Sequence, residues 1–137
     1  MTGPTERVRE GAAMIAQMAP VLDPVLYVFC GVEGGHGASA AALATFREDE
    51  ELTLILPVDV AHAHGLTVDL PMARITLSVH SALDGVGLTA AVASALADAD
   101  IACNMVAAYH HDHAFVPAER AEEAMSLLQR LSGAPHR

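Results

Sequence analysis

The chain has 137 residues, 53% of them hydrophobic, with seven basic side chains that are all arginine and a formal net charge of −10. That length bounds one compact domain, or two small ones sharing a core, and the acidic balance excludes nucleic acid and anionic membranes as partners, because their phosphates repel such a surface. No apolar run approaches the roughly 20 residues of a membrane-spanning helix, and "MTGPTERVRE" lacks the apolar stretch of a secretory signal. A cytoplasmic location is the expectation, with a small molecule or another protein as partner. Cys30 and Cys103 lie far apart in apolar segments without a CxxC pair and read as small buried hydrophobes.

In chain order, Val8, Ala12, Ile15 and Met18 recur at helical spacing, and Pro20 stops the pattern. "PVLYVFCGV" (Pro24 to Val32) has the β-branched and aromatic content of a strand. "GVEGGHGASAAA" is ambiguous, and without a GK[ST] ending or a GxGxxG it makes a poor phosphate loop. "LATFREDEELTLILP" reads as two strands around an acidic turn at Glu48 to Glu51. Pro57 suits the first turn of a short helix closed by Gly65, on which His62 and His64, two apart, face different sides. In "ARITLSVHS", Ile75, Leu77 and Val79 alternate with Arg74, Thr76, Ser78 and His80. A helix with Leu88, Val92, Ala95 and Ala99 on its apolar stripe follows the loop "SALDGVG". Then come the strands "IACNMVAAY" and "HAFVP". Pro117 opens a last helix with Ala121, Ala124, Met125, Leu128 and Leu131 on one face, ended by Gly133.

From Arg74 onward the order is strand, helix, strand, strand, helix. With one more strand this is the split βαβ, or ferredoxin-like, plan. The N-terminal half repeats that order with its first helix missing, an internal pseudo-repeat of low sequence identity. "GAPHR" is too short and polar for the missing strand, so a strand of the N-terminal half is expected to fill the slot.

The stretch from "ITLSVHSALDGVG" through "LTAAVASALADADI" and "IACN" to "AMSLLQRL" resembles an ACT domain, a small-molecule regulatory module. With "ATFREDEELTLILP", the chain resembles the small bacterial tandem ACT proteins, relatives of the ACT regions of aspartate kinases and of cytosolic arginine-sensor proteins. The resemblance implies an α+β, ferredoxin-like βαββαβ fold. It comprises an N-terminal helix (1–19), a degenerate ACT-like unit (20–72) and a full ACT unit (73–133) sharing one sheet. It also implies a regulatory protein that binds an amino acid, with no catalytic activity and no cofactor. The exposed sheet edge of such a unit points to a homodimer, or to an intramolecular sheet made continuous by the N-terminal half, with the ligand at that seam.

The residues themselves supply a candidate site. Glycines in "SALDGVGL" let backbone approach a ligand, and free N–H groups at a helix N-terminus attract a carboxylate. Ser81, Asp84, Gly85, Val86, Gly87 and Leu88 belong to this site. Asp84 either meets a ligand ammonium or, like Ser81, caps the helix. Ile101 and Asn104 join them by resemblance, because that strand start faces a neighbouring ACT unit. Asn104 alternatively satisfies nearby backbone.

Three histidines and an aspartate occupy the four positions His110 to His113. A two-residue turn at His111-Asp112 would set His110 opposite His113 on the helix-free face, near His80. Three imidazoles can hold zinc with one open position. They can equally contact a ligand or a partner subunit, or form a plain solvated turn, and His113 is placed among the ligand contacts. The alternative function is therefore a protein-interaction or metal-binding subunit using His80, His110 and His113. No G-x-S-x-G, H-E-x-x-H or CxxC motif supports catalysis. The edge strand "IACNMVAAY" has neither lysine nor proline to discourage pairing.

Overall fold

A computed structural model describes residues 15–79 and 86–133. Six strands form one antiparallel sheet: β1 (Pro20–Val32), β2 (Ala44–Arg47), β3 (Leu52–Pro57), β4 (Met72–Leu77), β5 (Asn104–Ala107) and β6 (Asp112–Pro117). Their spatial order is β2-β3-β1-β4-β6-β5. Among the described residues, the α-helices that follow β1 are α1 (Val58–Ala63), α2 (Leu88–Asp98) and α3 (Ala121–Ser132), and residues 15–17 before it are helical. Between β1 and β2, where the first helix of the N-terminal unit would lie, the described residues form only a short 3-10 turn, Gly37–Ala41. Among the described residues, no helix is long and apolar enough to cross a membrane.

The long β1 joins the halves. Its beginning, Pro20 to Leu22, pairs with Leu77 to Ile75 of β4, and so supplies the missing fourth strand of the C-terminal unit. Its end, Tyr27 to Val32, pairs with Pro57 to Leu52 of β3. Between them the register shifts from Leu22 to Leu26. The cause is legible in "LDPV": Pro24 has no N–H for the ladder, and the Asp23 carboxylate accepts the Val25 N–H at 2.8 Å in a local turn. Neither unit closes its sheet without the other.

All helices cover one face. Ala73, Ile75 and Leu77 of β4 and Ala114 and Val116 of β6 pack against Val92 and Leu96 of α2 and Ala124 and Leu128 of α3. The buried stripe of α2 is Leu88, Val92 and Leu96; Leu96, rather than the expected Ala95, holds its centre. Ile15 and Met18 also pack into this cluster. In the N-terminal unit Val28, Leu54 and Leu56 pack against Ala61 of α1 and Ala38 of the 3-10 turn.

The caps tie α2 to α3. Asp100 takes a left-handed φ of 61° and α2 ends there, with the Ile101 N–H returning to the Leu96 carbonyl at 2.9 Å. Arg120, just before α3, donates to the carbonyls of Ala99 at 3.2 Å and Asp100 at 3.3 Å, satisfying helix-end acceptors that would otherwise need water. Gly133, with φ 76°, closes α3 as expected.

Candidate functional site

Two regions concern function: the opening of α2, and the concave, helix-free face of the sheet. At the first, Val86 is exposed and Gly87 takes φ 107°, a left-handed conformation that a side chain would resist. As the N-cap residue, Gly87 has no side chain with which to cap the first-turn N–H groups of α2. Leu88 and Ile101 lie in the core beneath. Ser81, Asp84 and Gly85, with His80, lie outside the described residues.

The concave face carries Asn104 and His113, both expected on the helix-free side. Asn104 borders a cavity of about 340 Å³ with Phe29, Thr67, Asp69, Leu70 and Met72. His113 borders a second, of about 120 Å³, with Arg74, Ile55 and Phe115. Thus the structure joins Val86, Gly87 and Leu88 at one locus and sets Asn104 and His113 on the opposite side of the sheet.

The hairpin requires a correction. Ala107 pairs with Asp112 and Val106 with His113, while the Ala108 N–H donates to the His111 carbonyl at 3.0 Å. The two turn residues are Tyr109 and His110, not His111 and Asp112, so His110 does not oppose His113. Among the described residues no group of three or more histidine, cysteine, aspartate or glutamate side chains is arranged to hold a metal ion.

One polar cluster was not expected. Asp23, released from the ladder by the bulge, accepts the Tyr27 hydroxyl at 2.8 Å and both Nε and Nη2 of Arg74, at 3.2 and 2.8 Å. The Arg74 guanidinium also lies over the Tyr27 ring, 5.6 Å from its centre. Burial alone would raise the Asp23 pKa, but the donors Val25, Tyr27 and Arg74 outweigh it and hold the carboxyl below its ordinary range. Burial, with the hydrogen bond to Asp23, pushes the Tyr27 hydroxyl up. The cluster sits at the β1–β4 seam and fixes the orientation of Arg74. Its sequence signal was the Asp-Pro pair inside an otherwise apolar strand, which marks a bulge.

His113 Nδ1 lies 3.0 Å from the Thr76 hydroxyl across the β4–β6 ladder. Burial first, then the positive charge of Arg74 and of His111, lowers its pKa, with Asp112 opposing. Elsewhere, His36 Nδ1 accepts the Ala38 N–H at 3.0 Å and caps the 3-10 turn, with the His64 ring 5.7 Å away. Burial raises the thiol pKa of both free cysteines, Cys30 and Cys103, which disfavours the reactive thiolate.

Two ACT domain models match the sequence, over residues 9–73 and 73–130. A crystallised Vibrio cholerae protein of unknown function, described as a possible transport protein, is 41% identical with a TM-score of 0.80, over 88% of this chain and 94% of that one. The chain belongs to the ACT domain family. Its two ACT domains stand in tandem, and such domains are typically regulatory and non-catalytic. An Agrobacterium tumefaciens protein shares the fold at 21% identity and TM-score 0.70, over 84% of this chain and 89% of that one. So does the regulatory subunit of aspartate kinase from Thermus flavus, at 13% identity and TM-score 0.60, over 82% and 95%. No curated protein sequence matches the ACT chain.

Proposed function

We propose that this tandem ACT protein is a cytoplasmic regulatory protein that binds an amino acid where α2 begins, and that it catalyses no reaction. The observation that carries the reading is Gly87, left-handed at the mouth of an 11-residue helix whose first-turn N–H groups receive no side-chain cap from it. Such groups suit a ligand carboxylate. In this reading the backbone of Val86 and Gly87 takes the carboxylate, and Ser81, Asp84 and Gly85 complete the loop, Asp84 meeting the ammonium. Leu88 and Ile101 support the site from the core. Asn104 and His113 face the other side of the sheet and are not needed for this contact.

The metal-binding alternative is disfavoured by the β5–β6 register, which separates His110 from His113. The proposal includes a homodimer, because β5 is an outer strand that presents unpaired backbone groups. Sedimentation at micromolar concentration tests that part; a strict monomer removes it and leaves the ligand reading intact. Thermal-shift screening against the amino acids tests the ligand. At about 100 times its dissociation constant the right one adds roughly 2.7 kcal/mol of stability. Silence from all of them would defeat the reading while leaving the fold untouched.

A further inference from the structure

The sheet is strongly curled, and its curl creates a second site. In the order β3-β1-β4-β6-β5, Ile55 and Val106 stand four strand spacings apart, which in a flat sheet is about 19 Å. Here they line the same cavities. One, of about 120 Å³, has Arg74 and His113 at its polar end and Leu43, Ile55, Val106 and Phe115 as walls. The next, of about 190 Å³, shares Ala44, Ile55 and Val106 with it and continues past Phe29 and Phe46. The two form one trough, polar at one end and apolar along its length. Phe29 and Phe46 are respectively 40% and 71% exposed at its apolar end.

The polar end has unused donors. Asp23 takes the Nε and Nη2 of Arg74 and leaves Nη1 without a hydrogen-bond partner among the described residues. His113 uses Nδ1 toward Thr76, leaving Nε2. Arg74 is only 23% exposed and is held in place by Asp23 and Tyr27, so little side-chain freedom remains to be lost on binding. Among the described residues no carboxylate lines either cavity to take a ligand ammonium, and Asp23 beside Arg74 is already engaged by Val25, Tyr27 and Arg74. Taken singly, each volume falls below the roughly 300–1,000 Å³ of sites for drug-sized ligands, and the whole trough reaches only its lower end.

We propose that this trough binds a small monocarboxylate with an apolar body, its carboxylate held by Arg74 Nη1 and His113 and its body by Ile55, Val106 and Phe115. The ligand is an acid without an amino group, so the site is distinct in place and chemistry from the amino-acid site at α2. Asp23 cancels the charge of Arg74, and the proton that restores a net positive end comes from His113. Among the described residues, the charged or titratable neighbours of that ring are Arg74 on β4 and His111 and Asp112 on its own side; β5 and β3 present Val106 and Ile55. A bound carboxylate favours the protonated imidazole, so binding takes up a proton and tightens as pH falls from 8 to 6, a range in which an alkanoate stays ionised.

The test is calorimetric titration of the full chain with butyrate, hexanoate and octanoate, alongside hexan-1-ol and 2-aminohexanoate. At least one alkanoate is expected to bind saturably, at least about tenfold more tightly than the alcohol or the amino acid of matching length, as a charge-assisted contact requires. Val106→Phe fills the trough from an outer strand without disturbing the seam and should abolish binding. His113→Gln keeps a partner for Thr76 and should remove the gain at low pH. Equal affinity for hexanoate and hexan-1-ol, unchanged binding by folded Val106→Phe, unchanged pH dependence in His113→Gln, or no binding of any alkanoate to the native chain would each overturn the proposal. Amino-acid binding at α2 would survive all four results.

Discussion

The two ACT units share a strand plan and differ in their cover. The C-terminal unit lays α2 and α3, 11 and 12 residues long, over its strands, whereas the N-terminal unit has the six-residue α1 and a five-residue 3-10 turn. Among the described residues, the buried cluster under the long helices has fourteen members and the other six. Hydrophobic burial scales with area removed from water, so most of the folding free energy lies in the C-terminal half. The thin unit persists because β1 and β4 each complete the other's sheet. A pseudo-repeat can lose a helix when its strands are shared with a fuller copy.

The largest expected effect sharpens that contrast. Leu96→Ala, at the centre of the thick cluster, is expected to cost roughly 4 kcal/mol in urea unfolding, against about 2–3 for Leu54→Ala, where a thin cover collapses more easily into the cavity. Both are fully buried. Equal losses would contradict the comparison, and two separate transitions would contradict the shared sheet. The seam comes next. Asp23→Ala leaves the part-buried Arg74 without its partner and is expected to cost roughly 2 kcal/mol, seen as a lower urea midpoint for the whole chain. Loss of signal from only one half would break the account.

Glycine substitutions should show no contrast. Gly65 closes α1 and Gly133 closes α3, with φ 70° and 76° and open space around both. Alanine at either should therefore cost about 1–2 kcal/mol of backbone strain alone, measurable as similar falls in Tm. The smallest effect is a pH dependence confined to the seam and the C-terminal half. His113 has a lowered folded pKa, so its contribution is complete above the unfolded value near 6.5 and is lost as pH falls through that value toward the folded one. Asp23, also lowered, adds a second loss below about 3.8. Thermal melts of His113→Gln should lack the first step and keep the second.

Most of the elements were legible in the sequence, because alternation in "ARITLSVHS" and helical spacing in "AERAEEAMSLLQRL" each have one dominant period. The slot filled by β1 was legible from the missing strand. The β5–β6 turn was not: "YHHDH" contains no glycine or asparagine to mark a corner, and neither Tyr109 nor His110 takes a positive φ. The expected turn lay two residues too late, and because side chains alternate with period two, that slip changed every cross-strand partner but no face. Asn104 and His113 were therefore placed on the correct side beside the wrong neighbours. The Asp23–Tyr27–Arg74 cluster joins residues 51 apart in sequence, a separation that local pattern does not reach. Nor did any local signal report the curl that brings Ile55 to Val106.

The central claim is that α2 opens on an amino-acid site. Its most direct test is a titration of the isotope-labelled full chain with each amino acid, following the backbone amides from Gly87 to Ala90. One amino acid should shift those amides saturably, with the β5–β6 hairpin amides unchanged. If no amino acid moves them, or if the saturable shifts fall on the concave face instead, the claim is contradicted.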